Sequence, residues 1–166
     1  MFPLQAGNPS AMRVAESVMV ASGRRQRGEL ELWRQLTQLT SVLSSSLDKR
    51  LTRQHGVSVS EFTALSTLAE GGSDGVQMQE LADSIGLNQS TVSRLVARLE
   101  TSGLATRAVS ERDRRCTYAM ITERGRTIVD EATGTFQKEF GTALDIAAFD
   151  ERTAPLVARL RHDPTT

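Results

Sequence analysis

Cysteine is nearly missing from this 166-residue chain: the one thiol, Cys116, can neither close an internal disulfide nor build a thiolate zinc cage. Only two histidines, His55 and His162, are present. Neither stands at metal-ligand spacing or beside a nucleophile pattern, so both read as surface residues, and no metal site and no cofactor is expected. Long apolar runs are missing as well. They reach four residues at most, as in Tyr118 to Ile121, far below the roughly 20 that a membrane-crossing helix needs. No basic-then-apolar segment opens the chain, so no secretory signal is expected and the cytoplasm is the expected compartment. Paired carboxylates, a Ser-His-Asp order and Cys-His pairing cannot be singled out, so no catalytic residue is assigned and an enzyme is not expected.

Net charge is absent too, with 20 basic residues balancing 20 acidic ones, yet its distribution is uneven. From Asn88 to Arg126 there are eight arginines against four acids, a local +4 that leaves −4 for the remainder. A basic middle third in a neutral whole suits a DNA reader on an acidic support, although a solvated charged face produces the same count. What the chain does have is 39% hydrophobic and 24% charged residues. That suffices for one soluble globular core, or a smaller core completed by a partner chain.

Residues 1–28 read as an N-terminal extension, partly flexible, in which Ser10 caps a short helix that stops at Gly23. From Glu29 the spacing becomes helical: Leu32, Leu36, Leu39, Leu43, Leu47 and Leu51 recur every three or four residues, with Trp33 beside them. This leucine stripe is longer than one face of a small globule needs, which predicts that part of it packs against a second subunit. A second helix is predicted from a cap at Ser60, through Phe62, Leu65 and Leu68, to the glycine-rich turn Gly71–Gly75. That turn is not a phosphate loop, because no strand precedes it and no Lys-Ser/Thr follows at the required spacing.

Two short helices follow, Met78 to Ile85 and Asn88 to Ser102, joined at Gly86, where a positive φ allows a tight turn. Asn88 is the predicted cap of the second, and Val92, Leu95, Val96 and Leu99 its buried stripe. Gln89, Ser90, Thr91, Ser93, Arg94 and Arg98 are its polar residues and are assigned to DNA. A guanidinium bonds guanine O6 and N7 together, which suits Arg94. Gln89 pairs with adenine, the short hydroxyls of Ser90, Thr91 and Ser93 reach phosphates or base edges, and Arg98, farther along, reaches phosphate. After Gly103 the periodicity turns strand-like. Leu104–Val109 and Cys116–Ile121 form a predicted hairpin whose tip carries Arg112, Asp113, Arg114 and Arg115, a basic wing suited to a narrow minor groove. Thr122 is expected to cap a long helix to about Ala143, with Ile128, Val129, Ala132, Phe136 and Phe140 on one face. A last helix is expected over about 150–161, with Pro155 in its first turns.

In this order, the stretch LADSIGLNQSTVSRLVARLETSGL (81–104), the wing run Asp113-Arg114-Arg115, and Ile121-Thr122-Glu123-Arg124-Gly125 resemble the MarR family of winged helix-turn-helix regulators over about residues 29–162. The resemblance implies a mainly α (α+β) fold, a winged helix-turn-helix with long N- and C-terminal dimerisation helices: a first dimerisation helix at 29–56, a DNA-binding lobe at 57–122 and C-terminal dimerisation helices at 123–166. It implies a homodimer on a pseudopalindromic operator in double-stranded DNA, usually a repressor released by a small molecule or by oxidation, and a pairing of Asp113 with Arg115 in the wing. A small aromatic or phenolic effector is the further partner considered. Trp33, Phe62 and Tyr118 are its aromatic candidates, each equally well read as core. Two features depart from the family pattern: the long extension, and a cysteine just after the wing where redox-sensing relatives carry theirs in the first helix region. A Cys116 redox switch, and a winged-helix module that binds protein instead of DNA, are the alternatives.

Overall fold

A computed structural model describes residues 9–72, 74–109 and 117–162. The chain is mainly helical with one small sheet, in the order α1 (Pro9–His55), α2 (Val59–Glu70), β1 (Val76–Gln77), α3 (Met78–Ile85), α4 (Gln89–Thr101), β2 (Ala105–Val109), β3 (Thr117–Ile121), α5 (Glu123–Ala147) and α6 (Ala154–His162). It divides into two compact units, one spanning Val42–Ile146, the other made of the residues up to Ser41 and those from Ala147 onward.

In the larger unit, the apolar stripes of α2, α3 and α4 meet around Leu65, Leu68, Leu81, Val92 and Val96, all fully buried or nearly so. The three-stranded antiparallel sheet, in the order β1-β3-β2, closes one side of this core. Ala119 of β3 stands opposite both Val76 of β1 and Arg107 of β2 and is wholly buried. A residue larger than alanine there would displace the core that sets the register of the hairpin. Phe62 and Phe136 stack with ring centroids 5.1 Å apart, tying α2 to α5.

Polar struts run along the same unit. The Glu139 carboxylate of α5 accepts from Ser46 Oγ and from Arg50 Nε of α1, the latter at 3.0 Å. His55 is half-buried, with Nε2 2.9 Å from Thr135 Oγ1, so it is less exposed than its sequence context suggests. At the start of α5, Thr122 Oγ1 accepts the Gly125 amide at 3.0 Å and donates to the Gly103 carbonyl at 2.8 Å, joining cap and preceding helix end in one side chain. Gly125 has to be glycine, since any Cβ would run into the Leu104 carbonyl.

In the smaller unit, Leu39, Ala147, Leu156 and Val157 are buried, and the buried Thr153 hydroxyl donates to the Ala147 carbonyl at 2.6 Å. Several large apolar side chains there are exposed: Leu30, Leu32, Trp33 (66%) and Leu36 on α1, and Phe149 (90%) and Leu160 beyond α5.

The architecture departs from the sequence reading at five points. No helix stops at Gly23 and none begins at Glu29, for α1 is one 47-residue helix. A glycine costs a helix only about 1 kcal/mol relative to alanine, and no proline follows to turn that cost into an end. The α2 cap is Ser58 and not Ser60: Ser58 Oγ accepts the Glu61 amide at 3.2 Å while Glu61 Oε2 accepts the Ser58 amide at 2.9 Å, a reciprocal capping box. The two-residue β1 was not expected, being too short to show a period. Finally, α5 continues to Ala147, one turn past Ala143, and α6 begins at Ala154, one turn after the expected start near 150. Residues 1–8 of the expected extension, and the wing tip with Arg112, Asp113, Arg114, Arg115 and Cys116, lie outside the described residues.

Candidate nucleic-acid interface

The turn that presents α4 is built from three residues. Gly86 takes φ +67° and ψ 30° at the end of α3, its amide bonded to the last carbonyls of that helix, and the Leu87 amide bonds the Ala82 carbonyl at 3.0 Å. Asn88 then caps α4, its Oδ1 accepting from the Thr91 amide at 2.9 Å and from Ser90 Oγ at 2.8 Å. An L-residue with a Cβ would be strained at Gly86, and a residue without a short acceptor at position 88 would leave the first amides of α4 unsatisfied. Cap and turn thus fix where the helix begins.

Its burial fixes which face looks outward. Val92, Leu95, Val96 and Leu99 lie at 2% exposure or less. Of the residues assigned to DNA, Gln89, Ser90, Thr91, Arg94 and Arg98 are exposed and Ser93 is half-buried. Five of the six therefore reach solvent from one short helix, with Arg94 in the middle of the outward face.

The two flanks are held differently. On one, Arg98 Nε donates to Glu61 Oε1 of α2 at 3.1 Å, so the arginine read from sequence as a phosphate ligand also ties α4 to α2. Burial alone would push the Glu61 carboxyl up. The Ser58 amide, the Arg98 guanidinium and the Ser58 hydroxyl outweigh it and hold the group below the ordinary glutamate range. On the other flank, Arg107 reaches across from β2. Its Nη2 donates to the Ser93 carbonyl, and its Nε, cut off from solvent, lies 3.2 Å from Glu100 Oε2, at ion-pair distance without hydrogen-bond alignment. In the sequence Arg107 is one arginine among eight in the basic third, and a strand arginine beside unremarkable neighbours carries no motif that would single it out. A notch of about 380 Å³ opens beside it, lined by Gln77 to Gln79 at the start of α3, by Gln89, Ser90 and Ser93, and by Arg107 and Thr117.

The hairpin strands β2 and β3 are formed as expected, paired from Ala105↔Ile121 to Val109↔Thr117. Of the aromatic candidates for an effector site, Phe62 is core, Tyr118 is half-buried and Trp33 is exposed. Among the described residues no cluster of histidine, cysteine and acids has metal-holding geometry, and no helix is long and apolar enough to cross a membrane.

Known proteins resemble the chain in this same region. A family model described as MarR family matches residues 55–115. The transcriptional repressor MprA of Escherichia coli K12 is 31% identical over 103 residues, which is 62% of this chain and 58% of MprA, so the chain spans little more than half of that relative. Among solved structures, the MarR family regulator Sco3205 of Streptomyces coelicolor, in complex with DNA, aligns with TM-score 0.67 and 26% identity over 81% of this chain and 84% of that one. CouR of Rhodococcus jostii, bound to p-coumaroyl-CoA, aligns with TM-score 0.58 and 26% identity, covering 76% and 83%. The MarR family model thus matches the helix-turn-helix and the first wing strand, and the fold is similar to that of the DNA-bound MarR family regulator Sco3205.

Proposed function

We propose that the chain is a homodimeric, sequence-specific DNA-binding regulator of transcription, acting as a repressor on a pseudopalindromic operator and released by a small ligand. The observation that carries this reading is the outward face of α4, where Gln89, Ser90, Thr91 and Arg94 stand exposed on a helix whose other face is locked in the core. A major groove about 12 Å wide admits such a helix and offers distinguishable donor and acceptor edges to it. In this reading Arg94 reads guanine, Gln89 adenine, and the hydroxyls of Ser90, Thr91 and Ser93 contact base edges or phosphates. Arg98 contacts phosphate, and Arg112, Arg114 and Arg115 of the wing enter the minor groove with Asp113 orienting them. The DNA complex of Sco3205 supports it, as does the name of MprA for the repressor sign.

Dimerisation is supported by the exposed Leu32 and Leu36 at the N-terminal end of the leucine stripe on α1, with Leu30 and Trp33 exposed beside them. An acyl-CoA thioester of a phenolic acid in CouR makes an aromatic or phenolic effector the class to try first. A protein of this kind works in the cytoplasm, beside the chromosome, and needs no catalytic group.

The test is selection of duplexes from a randomised pool by the purified protein, followed by titration of the enriched sequence with and without phenolic acids. The expected result is a two-fold-symmetric consensus with half-sites about 10–10.5 bp apart centre to centre, or a multiple of that. Enrichment of no sequence would refute the reading.

A further inference from the structure

We infer that Arg107 is a positioning residue for sequence recognition: rooted in the sheet, it sets the orientation of α4 relative to the wing hairpin without itself reading DNA. The inference rests on the DNA-binding reading above and adds to it a residue that touches no base.

Three observations carry it. The first is where Arg107 is anchored. Its register partner Ala119, on the central strand β3, is wholly buried and is also the partner of Val76, so Arg107, at the midpoint of the edge strand β2, is held in a register that the core determines. The second is what it grips. One guanidinium meets the Ser93 carbonyl and the Glu100 carboxylate, two points seven residues apart on one flank of α4. Two attachments separated by about two turns restrain both rotation about the helix axis and tilt, whereas one restrains neither. Ser93 lies in the stretch that holds Gln89, Ser90 and Arg94, so a small rotation there moves the groups meant for the groove. The third is electrostatic. The charge of Arg107 faces Glu100 at 3.2 Å, and the side chain is only 29% exposed. A cation so neutralised releases few counterions from a duplex, so it is poorly suited to be a phosphate ligand. The planar fork matters more than the charge, and a lysine ammonium cannot reproduce it.

The experiment compares wild type with Arg107→Met, Arg107→Lys, Glu100→Gln and the Arg107→Met/Glu100→Gln pair. The probes are the duplex that wild type enriches from a random pool and a scrambled duplex of equal length, each titrated over a range of salt. A positioning role predicts that Arg107→Met loses roughly tenfold on the enriched duplex, with the double variant no worse than the single because the two side chains act as one unit. Binding to the scrambled duplex and the salt slope should stay as in wild type, and Arg107→Lys should not restore recognition. Equal loss on both duplexes with a slope lower by about one would make Arg107 a phosphate ligand and overturn the inference. Full rescue by lysine, or unchanged binding in every variant, would overturn it too. Circular dichroism and thermal midpoints report folding. Should Arg107→Met not fold, Arg107→Lys and Glu100→Gln make the same comparison between the two duplexes. A wild type that enriches no duplex overturns the DNA reading and this role together, while enrichment with unaltered variants overturns this role alone.

Discussion

At the scale of single residues, the arginines of the basic third do different work, although composition counts them alike. Arg94 stands exposed in the middle of the outward face of α4, Arg98 bonds Glu61, and Arg107 is largely enclosed against Ser93 and Glu100. On the proposed reading of Arg94 as a bidentate guanine ligand, Arg94→Ala should cost about 1–3 kcal/mol of operator affinity and relax preference at one base pair. Arg115→Ala should instead weaken specific and random duplexes alike and lower the salt slope by about one, as loss of a phosphate or groove charge does. Fluorescence anisotropy on matched and scrambled duplexes separates the two outcomes. Equal loss for Arg94→Ala on both would remove it from base readout. The residue types at Gln89 to Arg94 were legible in the sequence since the apolar stripe of α4 leaves them only one direction to point. The Arg107 contacts were not, because Ser93 and Glu100 join it only when the strand crosses the helix.

At the scale of elements, short caps decide where helices begin, and charged struts join them. The Ser58–Glu61 capping box was present in the sequence at its proper spacing, but a second serine two residues later competed for the role. Only the Asp48 carboxylate accepting the Val59 amide at 2.8 Å, from α1, reveals how that start is seated. Two glutamates of the larger unit are held below the ordinary glutamate value of 4.5: Glu61 as described, and Glu139 by the Ser46 hydroxyl first and the Arg50 guanidinium second. A depressed folded-state pKa stabilises the fold at pH above the unfolded value, and this contribution is lost as pH falls through the folded value. Stability to urea should therefore be level from neutral pH to about 5 and fall below 4.5. A Glu61→Gln/Glu139→Gln variant should show a shallower fall over that range. If its acid profile matched that of wild type, these two groups would not be the source. Replacing the α4 cap, Asn88→Ala, should cost about 1 kcal/mol, read as a lower thermal midpoint with unchanged oligomeric state.

At the scale of the whole molecule, several large apolar side chains among the described residues stand exposed. Trp33 and Phe149 are 66% and 90% exposed, and buried aromatic anchors of this kind commonly dominate the energetics of an interface. Trp33→Glu should shift the assembly toward monomer at micromolar concentration, visible in sedimentation velocity, with a parallel loss of operator binding because one half-site alone is engaged. A wild type that sediments as a monomer under those conditions would count against the dimer itself.

The amino-acid sequence by itself determined the elements whose signals are local and periodic: the leucine stripe of α1, the helix-turn-helix with Gly86 at its turn and Asn88 at its cap, the paired strands of the wing and the Thr122 start of α5. Each follows from a few adjacent residues whose spacing or backbone conformation has only one good solution. Tertiary structure alone decided the rest. It drew Val76 and Gln77 into a third strand against β3, and brought Arg107 of β2 and Glu61 of α2 to opposite flanks of α4. Those outcomes depend on residues of different elements that meet only after the core has formed, and neither periodicity nor composition records such meetings.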